Sequence, residues 1–239
     1  MRVFLKVDQV VKRFGGIPAL DGVSITVERG KIHGVIGPNG AGKTTMFNII
    51  NGVYTPNEGR VIFMNRDITG FKPYKIAARG IGRTFQVARV FNEMTLLENM
   101  VVPLIPRRGI SQKRGREKAL ELLEMAELSH LQDHLAVEIS GGQKKLLEFM
   151  RTMMADPDVI LLDEPFAGVN PALIDRLIDI TMELNQSKKK TFLLISHDIP
   201  SVMKLCKNLT VLSAGKTIAE GEAETIRHDP AVIDAYLGH

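Results

Sequence analysis

Eight consecutive residues, Gly37-Pro38-Asn39-Gly40-Ala41-Gly42-Lys43-Thr44, have the types and order that can wrap an anion. The glycines lack the Cβ atoms that would stop successive backbone N–H groups from turning inward around a phosphate. Residues of strand character precede the run and a helical pattern opens at Gly42. The unpaired N–H groups and partial positive charge of a helix start therefore add to the same cradle. Lys43 offers a full charge to β and γ phosphates, Thr44 offers a hydroxyl to Mg²⁺, and Thr45 stands beside them. In a strand–turn–helix setting the pattern G-x-x-x-x-G-K-[ST] identifies a nucleoside triphosphate site. From residue frequencies, a chance match in a chain of this length is roughly a one-percent event.

A second group of reactive residues closes the apolar run Val159-Ile160-Leu161-Leu162: Asp163 and Glu164. Four apolar residues in a row read as a strand buried on both faces of a parallel sheet, and ligands gather beyond the carboxyl ends of such strands. Asp163 suits Mg²⁺, which takes oxygen ligands and keeps several waters. Glu164 is the candidate general base for an attacking water, a role worth ~10²–10⁴-fold in rate. Ser140-Gly141-Gly142-Gln143 forms another glycine turn ahead of a helix over Lys144–Met154. It reads either as a further anion cradle or as a helix capped by Ser140.

The elements that must hold these residues are legible in outline. Strands are expected at Val3–Val11, Val23–Val27, Lys31–Ile36, Arg60–Met64, Val159–Leu162, Thr191–Ile195, Leu209–Leu212 and Lys216–Ala219. Helices are expected from Gly42 towards Gly52, over Glu117–Leu128, from Pro171 onward and in the tail. Between about 87 and 155 the chain is helix-rich without a convincing strand. The order describes an α/β core interrupted by a helical insertion. Composition agrees: of 239 residues, 44% are hydrophobic and 24% charged, which supports a real core and excludes a disordered or collagen-like chain. No stretch reaches the ~20 apolar residues of a membrane span, and Met1–Val7 alternates like a strand rather than a signal peptide. The lone Cys206 forms no internal disulfide, as in a reducing compartment. Arg107, Arg108, Lys113, Arg114, Arg116 and Lys118 read as a solvated face or as a surface near anionic headgroups or nucleic acid. With no interleaved aromatics and no Trp, base stacking is not expected and no nucleic-acid partner is assigned.

Taken together and in order, these motifs resemble the ATPase subunits of ABC transporters along the whole chain. Ile139-Ser140-Gly141-Gly142-Gln143 looks like the family's signature, with Ile for the usual Leu. Phe14 sits where the family places an aromatic on adenine. Gln86 looks like the glutamine that senses Mg²⁺ and water and couples to the membrane partner. His197 looks like the switch histidine at the γ-phosphate. The resemblance implies a P-loop NTPase core with an antiparallel β subdomain over 1–86 and 156–239, and a helical subdomain over 87–155 carrying the signature. It further implies ATP and Mg²⁺, the latter held by Thr44, Gln86 and Asp163, and a head-to-tail dimer with a second ATP-binding subunit. In that dimer Ser140, Gly141, Gly142 and Gln143 complete the partner's site. Transmembrane permease subunits at the cytoplasmic face of the membrane, and indirectly a substrate-binding protein, are the implied partners. Asn170 stands where many members carry Asp, and it reads equally as the cap of the helix opened by Pro171.

Arg83-Thr84-Phe85-Gln86, Ala167–Pro171 and the tail from Asp229 to Gly238 look like the branched-chain amino-acid importer group, with urea and lipopolysaccharide transporters as relatives that share parts of the pattern. A DNA-maintenance ATPase of the superfamily would carry a coiled coil or zinc modules, and a translation-linked one two cassettes. The chain has no heptad run, a single Cys and one cassette.

Overall fold

The computed structural model describes residues 3–105 and 111–237; Arg107 and Arg108 of the basic stretch lie outside the described residues. The chain opens with a long hairpin, β1 (Val3–Phe14) and β2 (Ile17–Glu28), turned by Gly15-Gly16. Then come β3 (Ile32–Ile36), α1 (Lys43–Ile50), β4 (Glu58–Phe63), β5 (Arg66–Asp67), α2 (Pro73–Ala77) and β6 (Ile81–Arg83). A helical stretch follows, with α3 (Leu96–Val101), α4 (Gln112–Met125) and α5 (Gly141–Met154) joined by short 3₁₀ turns. The chain continues through β7 (Val159–Asp163), α6 (Pro171–Lys188), β8 (Thr191–Ile195), α7 (Ile199–Leu205), β9 (Asn208–Ser213) and β10 (Lys216–Glu222). It closes with α8 (Ala223–Ile226) and α9 (Pro230–Leu237). Among the described residues no helix is long and apolar enough to cross a membrane.

Two sheets organise the molecule. One is antiparallel, in the order β2-β1-β4-β5; the other runs β10-β9-β3-β8-β7-β6, parallel from β9 to β6 with β10 as an antiparallel edge. The central strands β7 and β8 are apolar at every position except Asp163 and Thr191, because both faces of the sheet are covered. Ile160, Leu162, Phe192 and Leu194 face helices α3 to α7, in a core that includes Phe149 and Leu177. Val159, Leu161, Leu193 and Ile195 point the other way, onto α1 and the antiparallel sheet through Phe47, Met46, Val7 and Ile25.

Three local differences from the sequence reading have simple causes. Strand β6 is missing from that reading because it spans three residues and includes Gly82, too short for a periodicity, yet it pairs in parallel with Val159–Leu161. Helix α3 spans only six residues, but Thr95 and Glu98 cap it reciprocally: Oγ1 of Thr95 accepts from Glu98 N at 3.1 Å and Glu98 Oε2 accepts from Thr95 N at 2.8 Å. Helix α4 starts earlier and stops earlier than Glu117–Leu128, because the Ser111 hydroxyl caps it and Glu127 turns left-handed with φ 58°.

Candidate active site

Strand β3 ends at Ile36, and the chain doubles back over 37–42 before α1 begins. Two glycines make that path possible. At Gly37 (φ 148°) a Cβ would lie 2.0 Å from the Leu212 carbonyl oxygen, and at Gly42 (φ 99°) one would lie 2.5 Å from that of Ala19. No side chain fits at either distance. The turn between β9 and β10 props the loop from outside, Gly215 N–H donating to the Ala41 carbonyl at 3.2 Å. Inside it, Lys43 curls back so that Nζ donates to the carbonyls of Gly37 at 2.6 Å and Pro38 at 2.9 Å. Burial pushes the Lys43 amine down, against the opposing pull of the Glu164 and Asp163 charges. A buried ammonium whose hydrogen bonds go to neutral carbonyls is a ready partner for an anion.

Asp163 ends β7 and is 2% exposed. Its Oδ2 accepts from Arg83 Nη2 at 2.8 Å, while Arg83 Nη1 donates to Asn48 Oδ1 at 2.7 Å. The other oxygen, Oδ1, is buried without a hydrogen-bond partner. Glu164 follows with φ 48°, a left-handed backbone uncommon for a glutamate. Strand β8 lies between β3 and β7, so the chain leaving β8 passes between the glycine loop and the acids. There the His197 backbone N–H donates to Glu164 Oε2 at 3.2 Å, and His197 Nδ1 lies 2.8 Å from the same oxygen. The Glu164 N–H in turn donates to the Ile195 carbonyl at 2.9 Å.

A cavity of about 500 Å³ joins Gly37 through Thr45 with Gln86, Glu164 and His197, and Ala19 and Tyr236 complete its wall. Asp163, next before Glu164 in the chain, is buried and forms no part of that lining. Two further expected groups stand apart from the cavity. Phe14 is 43% exposed at the end of β1, outside the cavity lining, with its ring edge-on to Tyr54 at 5.2 Å and Lys12 Nζ 5.2 Å from its centroid. Ser140 and Gln143 cap α5 reciprocally, Ser140 Oγ accepting from Gln143 N at 3.3 Å and Gln143 Oε1 from Ser140 N at 2.9 Å. Ser140 and Gly141 are exposed and line no part of this cavity. Asn170 caps α6, its Oδ1 accepting from Leu173 N at 3.0 Å.

Sequence reasoning passed over four side chains here. Besides Arg83 and Tyr236, these are Glu148 and Lys145 of α5. Glu148 is 2% exposed and brackets Gln86: Oε2 accepts from Phe85 N at 3.0 Å and Oε1 from Arg89 N at 2.8 Å. Burial raises the Glu148 carboxyl, with those two amides and Arg151 and Arg89 pulling it back down. Lys145 Nζ donates to the carbonyls of Glu164 at 2.9 Å and Ala167 at 2.6 Å, tying the helix to the turn after β7. The available signal was Lys145 and Glu148, three apart, on a helix otherwise rich in core residues; buried charges need partners.

Comparison with known proteins agrees with this geometry. A family model described as ABC transporter matches residues 20–167, and one described as branched-chain amino acid ATP-binding cassette transporter matches residues 216–239. The probable branched-chain amino acid transport ATP-binding protein LivG of Methanocaldococcus jannaschii is 41% identical over 250 residues, 98% of this chain and 97% of that one. The crystal structure of the ADP conformation of MJ1267, an ATP-binding cassette of an ABC transporter, matches with TM-score 0.89 and 40% identity over all of both chains. A dimeric post-hydrolysis structure of the cassette MJ0796, bound to ADP and phosphate, matches with TM-score 0.84 and 30% identity over 92% of this chain and 99% of that one. Likeness of this extent, in sequence and in backbone, leaves one conclusion: the chain belongs to the ABC transporter family as one of its ATP-binding subunits, and its chemistry is ATP hydrolysis.

Proposed function

We propose that the chain drives an importer of branched-chain amino acids from the cytoplasmic face of the membrane. The catalytic part of this reading is carried by one observation, the convergence of the phosphate loop, Gln86, Glu164 and His197 on a single cavity. The cargo rests on the name of the relative and on the match of residues 216–239.

The triphosphate of ATP lies along the amides of 37–45, and Lys43 exchanges its two carbonyl partners for β and γ phosphate oxygens. Thr44, Gln86 and Asp163 would hold Mg²⁺. They fit it: all three offer oxygen, and Asp163 Oδ1 is a buried acceptor that no protein donor satisfies. Bound there, the ion supplies charge neutralisation of the phosphates. Arg83 keeps the opposite carboxylate oxygen fixed, so Asp163 presents Oδ1 alone. Glu164 takes a proton from the attacking water as the water oxygen bonds to the γ phosphorus. The bond to the β–γ bridging oxygen breaks, and ADP leaves with that electron pair. His197 orients the base by its two contacts to Oε2, and Glu148 holds Gln86 in place by clamping the amides of Phe85 and Arg89. Phe14, exposed and flanked by a lysine, presents a ring face to adenine.

In this proposal residues 1–86 and 156–239 form the nucleotide-binding core, and residues 87–155 form the helical subdomain. Ser140, Gly141, Gly142 and Gln143, remote from their own chain's cavity, serve the site of a second ATP-binding subunit. The exposure of Ser140 and Gly141 at the start of α5 supports such a role, as does the dimeric state of the similar cassette MJ0796. Permease subunits anchor the pair to the membrane, and a substrate-binding protein acts on it indirectly. The variant Glu164→Gln tests the catalytic assignment: it should bind ATP, lose ~10²–10⁴-fold in turnover and accumulate as an ATP-bound dimer on gel filtration. Turnover at the parent rate would refute the assignment of the base.

A further inference from the structure

Helix α9 ends beside the phosphate loop, almost two hundred residues downstream of it in sequence. Its anchor is Val232, buried in the helical-side core, and from there the helix carries Tyr236 into the wall of the cavity that holds Lys43, Glu164 and His197. The Tyr236 ring packs partly buried against the same core. Its hydroxyl lies near the Gly37 amide and the Glu164 carboxylate, and its buried proton meets no acceptor. A buried hydroxyl left without an acceptor costs free energy, and a phosphate bound in the cavity that Tyr236 lines would supply one.

We propose that the Tyr236 hydroxyl is a ligand of the terminal phosphate of ATP, donating a hydrogen bond to a γ oxygen. This deepens the nucleotide-site reading and rests on it. The position follows from the neighbours. Lys43 is hooked onto Gly37 and Pro38, and Glu164 and His197 meet over the same part of the wall, so the hydroxyl stands at the γ end of the cradle rather than the adenine end. The chemistry follows from the proton. Burial and the nearby Glu164 charge push the phenol up to about 12, against the Gly37 amide, which lowers it. At neutral pH the group is therefore a neutral donor, which a polyanion attracts and which adds no charge of its own. Among the described residues, the other donor side chains on this wall come from the loop, from Gln86 or from His197, and Tyr236 is the one from the tail, so the last helix is tied to the state of the nucleotide.

The test is calorimetric binding to the full chain with Mg²⁺, using a non-hydrolysable β,γ-imido analogue of ATP and, separately, ADP. Tyr236→Phe keeps the ring and removes only the hydroxyl. A hydrogen bond to a charged group corresponds to roughly a tenfold change in affinity. The variant should therefore bind the ATP analogue about tenfold more weakly and ADP as the parent does. Its thermal midpoint without nucleotide should fall by no more than roughly 2–4 °C, because the contact with the Gly37 amide is all that the hydroxyl has to lose. Unchanged affinity for the analogue, or an equal loss for both nucleotides, would overturn the assignment. Lys43→Ala separates the two readings. If it abolishes binding while Tyr236→Phe changes nothing, the phosphate site stands and the tail contact falls; if binding survives Lys43→Ala, both fall.

Discussion

Replacing His197 with alanine isolates one contact of the proposed base. Glu164 Oε2 accepts from the His197 backbone N–H at 3.2 Å and faces Nδ1 at 2.8 Å. Alanine removes the second contact and leaves the first, along with the Glu164 N–H bond to Ile195 that sets the backbone. No cavity opens in the core, because the imidazole is 60% exposed. A hydrogen bond to a charged group contributes about 1.5–3 kcal/mol, and exposure favours the lower end because water takes over part of the contact. If the ring works by orienting Glu164, kcat falls about tenfold while affinity for ATP is unchanged. Steady-state ATPase assays and calorimetry measure both quantities. The deciding comparison is the double variant with Glu164→Gln. Once the carboxylate is gone, the ring has nothing to orient, so His197→Ala should cost nothing further. A full additional tenfold loss in the double variant would refute the reasoning and assign the ring an independent contact with substrate.

Arg83→Met strips the main partner from a carboxylate that is 3% exposed, and should cost about 3–5 kcal/mol. In a chain of this size that lowers the calorimetric midpoint by roughly 6–20 °C, and adding Asp163→Leu to the same chain should recover part of it. Gly37→Ala sets a methyl carbon where the Leu212 carbonyl lies 2.0 Å away, so the loop must shift; nucleotide affinity should drop at least about tenfold while the circular dichroism spectrum keeps its parent shape. His33 is buried beside Thr210 Oγ1 at 2.8 Å, and burial lowers its pKa from 6.5 to about 4. The folded state therefore holds it neutral while the unfolded chain protonates it. Its contribution is intact above pH 6.5 and is lost as pH falls towards 4, a change of about 3 kcal/mol. Urea melts of the parent and of His33→Asn should accordingly converge in stability by that amount between pH 7 and pH 4, and a constant difference would contradict it.

The chemistry of this protein was legible in its sequence wherever local order suffices. The glycines at 37, 40 and 42 followed by Lys43 and Thr44 define an anion cradle by themselves, because backbone freedom and helix polarity are properties of neighbouring residues. The apolar run ending in Asp163-Glu164 announces a buried strand and its acidic tip for the same reason, and Ser140 and Asn170 declare their helix caps. Short elements escaped, since three residues at Ile81–Arg83 show no period and exist only as partners of β7.

Tertiary structure decided who meets whom. That β8 lies between β3 and β7 is a fact of strand order, and it alone brings His197 to within 2.8 Å of a glutamate thirty-three residues earlier. The same holds for Arg83 with Asp163, for Glu148 astride Gln86, and for Tyr236 at the mouth of a loop near the other end of the chain. Each of these contacts joins groups whose separation along the chain carries no information about distance, and burial, by making an unpaired polar group costly, forces such groups to find one another only once the core has closed.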